Sequence, residues 1–414
     1  MLDFLSIDRD VCEAAMALDV HALTRQADAP SIRRRVSTLE AARELEPLTN
    51  DALAAALHRW VRHLTVLRAT APDHEAMCAS FRARADETST RTVDDHVGGL
   101  FAGAADRATA VRVLEDNHAR VMDPSLRWYE RTCEARRRAG VVTLDARGLA
   151  KELIDKLRAL DEEPRAWPDV IERGLSRARG EGWPAHLSPR TLTELLGRGF
   201  FEGLTLPALR LPQPLGVSSF ARALRDLGRA VALLDRDSTR PFVLSRSPVD
   251  GLVHRRAALF GALVLSRTFH RRRFGLAPHV ATDEVRAVAR SSIVWLKVAA
   301  LRVLMGDGLL SDQRANTFEE LTDHIFGRPW PGRLATVVPR LDASASEQLV
   351  GLLRAERDRV ALRDRFDEDW FDNPKAVVWI RHEHHQSTID RIEPPPDPRE
   401  VLGLVDHLRE ILDG

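Results

Sequence analysis

A mainly helical fold is what this sequence predicts, and two observations carry the prediction. Over long stretches apolar residues return at three- and four-residue steps with Arg, Glu and His between them, a spacing that gives a helix one buried and one solvated face. Those stretches are separated by short polar breaks holding proline, glycine or a capping residue. At 414 residues and 44% hydrophobic composition, the chain can bury one or two sizeable cores.

The elements follow in order. Leu39 to Glu46, Asp51 to Thr70 and His74 to Ala85 read as amphipathic helices, broken at Pro47-Leu48-Thr49-Asn50-Asp51, where Thr or Asn can cap the next helix, and at Ala71-Pro72-Asp73. Gly98-Gly99 is a further break, and Ala105 to Arg138 forms a long Arg/Glu-rich helix. Trp60, Trp128 and Tyr129 belong to a core or a groove. Gly140 to Gly148 is a shift in composition, so residues 1–140 read as an N-terminal helical lobe and 141–414 as a second one. There, helices are expected at Leu149–Leu160, Trp167–Arg179 and Arg190–Gly197, and from Ser218, with Ser218 or Ser219 as cap. The helix of the Ser247 to Phe260 region continues through Phe260 to Ser266, followed by Glu284–Met305, Asn316–Ile325 and Arg399–Leu412. The prolines of Leu204 to Gly216 exclude a helix interior, which leaves room for a short extended crossing and at most a small β element.

Charge and cysteine usage narrow the classes of function. Sixty-one basic residues balance 61 acidic ones at a pI near 7.3, so no general attraction to nucleic acid or to acidic membranes is expected. Only four residues are lysine (Lys151, Lys156, Lys297, Lys375), leaving 57 arginines interleaved with acids. Cys12, Cys78 and Cys133 are widely spaced and fall in no metal or redox motif, the usage of a reducing compartment. With no basic, apolar leader at the N-terminus and no membrane-length apolar run, a soluble cytoplasmic protein is expected.

The stretch with most chemical content is Arg225-Asp226-Leu227-Gly228-Arg229, within Ser218 to Val231. A helix carrying His-Glu-x-x-His places two imidazoles one turn apart to bind zinc while the Glu activates water. Here Arg225 and Arg229 stand at the histidine places and Asp226 at that of the Glu. The run Ser-Phe-Ala-Arg-Ala-Leu-Arg-Asp-Leu-Gly-Arg-Ala resembles the Leu-His-Glu-Leu-Gly-His-Ala word of the oligoendopeptidase F and thimet oligopeptidase metallopeptidases, family M3. A second word agrees: Arg365 and Phe366-Asp-Glu-Asp-Trp-Phe-Asp-Asn-Pro374 are similar to Arg-Phe-Gly-Glu-Asp-Trp-Trp-x-Asn-Pro of bacterial M3-like sequences.

The resemblance implies a two-lobed helical fold around a deep groove, with a catalytic-domain-like lobe whose metal site has been dismantled. The family's third ligand is a Glu on the next helix; the matching region, Ser247 to Phe260, has none, and His254 falls at that place with Asp250 the nearest carboxylate. The family's oxyanion-stabilising Tyr matches Ala343 to Glu347, whereas the chain's one tyrosine is Tyr129. Arg222, Arg225 and Arg229, at i, i+3 and i+7, share a helical stripe. They either pair with carboxylates such as Asp235 or Asp250, or clamp an anion such as a peptide's terminal carboxylate.

Rival sites are few. Arg381-His382-Glu383-His384-His385-Gln386 lacks the second zincin histidine, although His382 and His385, at i, i+3, could share a metal; a solvated face is the plainer reading. His270-Arg271-Arg272-Arg273 either binds phosphate or complements a helix C-terminus. The expectation is therefore a pseudopeptidase that binds a peptide or protein partner in its groove, with no cofactor. The alternatives are an active zinc-dependent oligopeptidase using a displaced site at His254, His382 or His385, and a purely structural helical scaffold.

Overall fold

The computed structural model describes residues 3–24, 31–85, 98–101, 103–141, 144–160, 167, 216–235, 239–248, 251–338, 343–386 and 397–414. Among these every regular element is a helix, as the spacing of apolar residues dictates. The expected helices Trp167–Arg179 and Arg190–Gly197, and the proline-rich crossing, lie outside the described residues, Trp167 apart.

The helices are α1 (Phe4–Thr24), α2 (Leu39–Leu45), α3 (Ala52–Ala85), α4 (Ala104–Arg138), α5 (Arg147–Leu157), α6 (Val217–Leu234) and α7 (Phe242–Ser245). There follow α8 (Gly251–Gly261), α9 (Arg267–Arg273), α10 (Pro278–Met305), α11 (Arg314–Phe326), α12 (Ala345–Phe366), α13 (Pro374–Gln386) and α14 (Pro398–Asp413). Their ends have local causes. Thr38 caps α2 by accepting the Ala41 N–H at 3.1 Å, Ser266 caps α9 and Asp397 caps α14. Gly140 at φ +61° and Gly327 at φ +71° end α4 and α11 in the left-handed conformation that glycine adopts without penalty.

Several boundaries differ from the sequence reading: α10 begins at Pro278, six residues before the expected Glu284, and three others have a local cause. Pro72 does not break the chain: α3 runs through it, because proline removes only the bond to the Arg68 carbonyl while the rest of the helix stays packed along α4. α6 starts at Val217 with Gly216, not Ser218 or Ser219, at the cap position. Ala262–Leu265 tightens into a 3-10 turn after α8, so the helix expected through Ser266 ends at Gly261.

Three apolar clusters hold the helices. The first joins α1, α2 and α3 with Phe242 and Val243 of α7. A second packs α6 and α8 against Phe269, Phe274, Trp370, Phe371 and α13. The third, which spans residue 140, combines Leu100, Phe101 and α4 with α5, α10, α11, the first half of α12, and α14.

The helix that positions the central site is α8, held between α6 and α12. Glycine opens both crossings: a Cβ on Gly228 of α6 would lie 2.3 Å from the Arg256 carbonyl oxygen, and one on Gly351 of α12 would lie 2.6 Å from His254 Cβ. Arg255 and Arg256 of α8 are buried and share one carboxylate, Asp358 of α12, with Arg255 Nε at 2.6 Å and an Arg256 terminal nitrogen at 3.0 Å. The other Arg256 terminal nitrogen donates to the Ile380 carbonyl at 2.9 Å, which ties α13 to the same point.

Candidate functional site

α6 folds as it does because Val217, Phe220, Leu224, Leu227 and Val231 lie on one face and enter the second cluster, leaving Arg222, Arg225 and Arg229 on the other. Gly228 meets Arg256 and Ala257 while Arg225 meets Gly261, so α6 and α8 run antiparallel. The Arg225 side chain lies across Gly261; a Cβ there would come within 2.6 Å of its Cγ. Arg222 and Arg225 are exposed, and the Arg229 side chain is 41% exposed. Asp226, at the place of the family's general base, is buried and accepts from Arg229 at 3.3 Å.

Several expected partnerships fall out differently. Asp235 does not serve the arginine stripe: its carboxylate is held by Arg381 through two bonds of 2.8 Å, a pairing across 146 residues that no local pattern announces. Asp250 lies outside the described residues. His254 sits at the crossing of α8 with α12, its Cβ against Gly351. His382 is exposed on α13, and the His385 side chain lies outside the described residues.

The remaining candidates resolve into structural contacts. Arg272 pairs with Asp369 at 2.5 Å and Arg273 with Asp372, in the acidic turn after α12. His270 is fully buried and donates from Nε2 to the Val264 carbonyl at 2.8 Å, and burial pushes its pKa down to about 4. Tyr129 is buried in the third cluster, and its hydroxyl donates to the Gly306 carbonyl at 3.2 Å. Where the family's Tyr is expected, Glu347 receives Arg136 at 2.9 Å.

A pocket of about 190 Å3 opens elsewhere, between the end of α8, the start of α9, and the C-terminal halves of α12 and α14. Leu263, Trp370, Arg359, Arg363 and His407 line it. Behind His407 and Arg359, burial would raise the Glu356 pKa, but the His407 imidazole at 3.3 Å and two hydrogen bonds from Arg359 outweigh it and hold the carboxyl at about 2. Among the described residues no three His, Cys, Asp or Glu side chains stand together at metal-binding distances.

Comparison of the chain with protein-family models, characterised proteins and solved structures returns no match.

Proposed function

We propose that this chain is a non-catalytic relative of the oligoendopeptidase F and thimet oligopeptidases that binds a peptide or protein partner without cutting it. The observation that carries the reading is the state of the motif itself. Asp226 is withdrawn into an ion pair with Arg229, while Arg225 lies over Gly261 on the flank of α6 beside α8. A guanidinium is no zinc ligand, and a carboxylate held in this way is not free to activate water. What such a face offers instead is fixed positive charge suited to a carboxylate.

Two glycine positions add support. Gly228, common to this motif and the family's, stands where α8 leaves no room for a side chain. Asp367, opposite the family's Gly in the second word, adopts φ +67° and ψ −179°. That is a conformation which glycine fills readily and other residues do not.

The test is fluorescence anisotropy with labelled peptide libraries ending in a free carboxylate or in an amide. Carboxylate-ended peptides are expected to bind, and Arg225→Ala with Arg229→Ala should weaken them at least tenfold, about 1.4 kcal/mol. Chelator-sensitive cleavage of any peptide after zinc loading would overturn the non-catalytic reading. Failure of every peptide, with a protein partner recovered, would favour the scaffold.

A further inference from the structure

The pocket between α8, α9, α12 and α14 is built from side chains that the α6 site does not use. Its wall is apolar where it is deepest: Leu259, Leu263, Trp370 and Ile411 line it and are buried. Its volume, about 190 Å3, limits what enters. A cavity of about 150 Å3 takes one benzene ring, so one ring or one branched side chain with a few polar atoms fits here, and an oligopeptide or a nucleotide does not.

The polar lining carries both signs of charge. Arg359 is closed off, because its Nε and a terminal nitrogen both donate to Glu356, at 2.9 and 2.6 Å, and the two charges cancel. Arg363, one turn further along α12, is engaged through Nε alone, 3.5 Å from Asp364. Arg267 reaches the Ile411 carbonyl at only 3.4 Å. Facing these guanidiniums are two carboxylates. Glu368 takes the Thr268 hydroxyl on one oxygen at 2.9 Å, and Glu410 is exposed on α14. Among the described residues neither Arg363 nor Arg267 closes an ion pair with Glu410, although all three line one cavity. A simple anion there would meet the carboxylates, and a simple cation the guanidiniums. A ligand that itself presents both signs satisfies the whole lining.

We propose that this pocket binds a free α-amino acid with an apolar side chain, of the size of leucine or phenylalanine. The side chain packs on Leu263 and Trp370, the carboxylate takes the terminal nitrogens of Arg363, and Glu410 holds the ammonium. Ser266 lines the pocket as well; its Oγ accepts the Phe269 N–H at 3.2 Å and keeps a proton to donate to the ligand carboxylate. A ligand held in this way bridges α12 to α14.

The experiment is isothermal titration calorimetry of the full chain with leucine and with phenylalanine. Both should bind, at one site per chain. Leucinamide, which lacks the carboxylate, isocaproate, which lacks the ammonium, and glycine, which lacks the side chain, should each bind at least tenfold more weakly than leucine. Arg363→Gln and Glu410→Gln, both at the solvent side of the pocket, should each weaken leucine at least tenfold, with far-ultraviolet circular dichroism confirming the fold. Ala262→Leu, which fills the cavity from its wall, should abolish binding. Absence of binding by both amino acids at millimolar concentration would overturn the proposal. So would equal affinity for leucine and either truncated analogue, unaltered binding in Arg363→Gln and Glu410→Gln, or binding that survives Ala262→Leu.

Discussion

Asp367 holds φ +67° and ψ −179° immediately after α12, with its N–H on the Arg363 carbonyl at 2.9 Å and its own carbonyl accepting from Trp370. The turn aims Trp370 and Phe371 into the second cluster, so the backbone conformation is kept although an Asp side chain strains it. Such strain costs about 1–3 kcal/mol, while glycine's extra freedom in the unfolded chain costs about 0.5–1 kcal/mol. Asp367→Gly is therefore expected to raise stability by about 1 kcal/mol, read as a higher urea midpoint with an unchanged slope. At this scale the sequence was legible where chemistry is local. The break before α3 was readable from its own residues, although Asp51, not Thr49 or Asn50, supplies the cap, accepting the Ala54 N–H at 2.9 Å. The Asp235–Arg381 pair and the buried, singly bonded His270 depend on where distant helices come to rest.

At the scale of elements, α8 decides how the second half of the chain assembles. Two buried guanidiniums share Asp358, and the glycines at positions 228 and 351 let three helix backbones close on one another. Removing one partner of a buried ion pair leaves uncompensated charge, at about 3–5 kcal/mol. Asp358→Ala is expected to cost that much in urea denaturation, whereas Asp406→Ala, which breaks the exposed pair with Arg409, should cost under about 0.5 kcal/mol. A result in which the two variants lose equal stability would deny α8 its organising part. Most helices were readable to within a few residues because amphipathic spacing is a property of each segment alone. Pro72 misled because its local penalty, about 3 kcal/mol, is offset by packing along α4, and packing is not written in the segment. The motif on α6 was legible as a frame, yet which face of α8 it would meet was not, since glycine at the crossing sets the rotation of one helix against the other.

Across the whole molecule, protons bear on stability in two windows. The folded-state pKa of His270 lies below its ordinary 6.5, so its contribution is complete above about pH 6.5 and fades as pH falls toward about 4. Glu356 is depressed from 4.5 to about 2, so its contribution is complete above about pH 4.5 and is lost on the way down to about 2. Urea midpoints measured from pH 8 to 2 should fall in both intervals. His63, likewise lowered to about 4 by burial, titrates in the same interval as His270, so His270→Gln should make the first fall shallower without removing it, while Glu356→Gln should flatten the second; an unaltered profile in either variant would assign that interval to other groups.

The seating of α7 bears on how the chain is made. Asp8 accepts the N–H groups of Phe242 and Val243 at 3.0 and 2.9 Å, Arg246 reaches Asp19, and Trp60 donates to the Arg246 carbonyl at 2.8 Å. The innermost wall of the first cluster is thus supplied by residues translated almost two hundred positions after the helices it covers. A ribosome must translate the chain through Arg246, and release that residue from its exit tunnel, before α1 to α3 can close over their apolar faces. Until then those faces are open to a chaperone or to a neighbouring nascent chain.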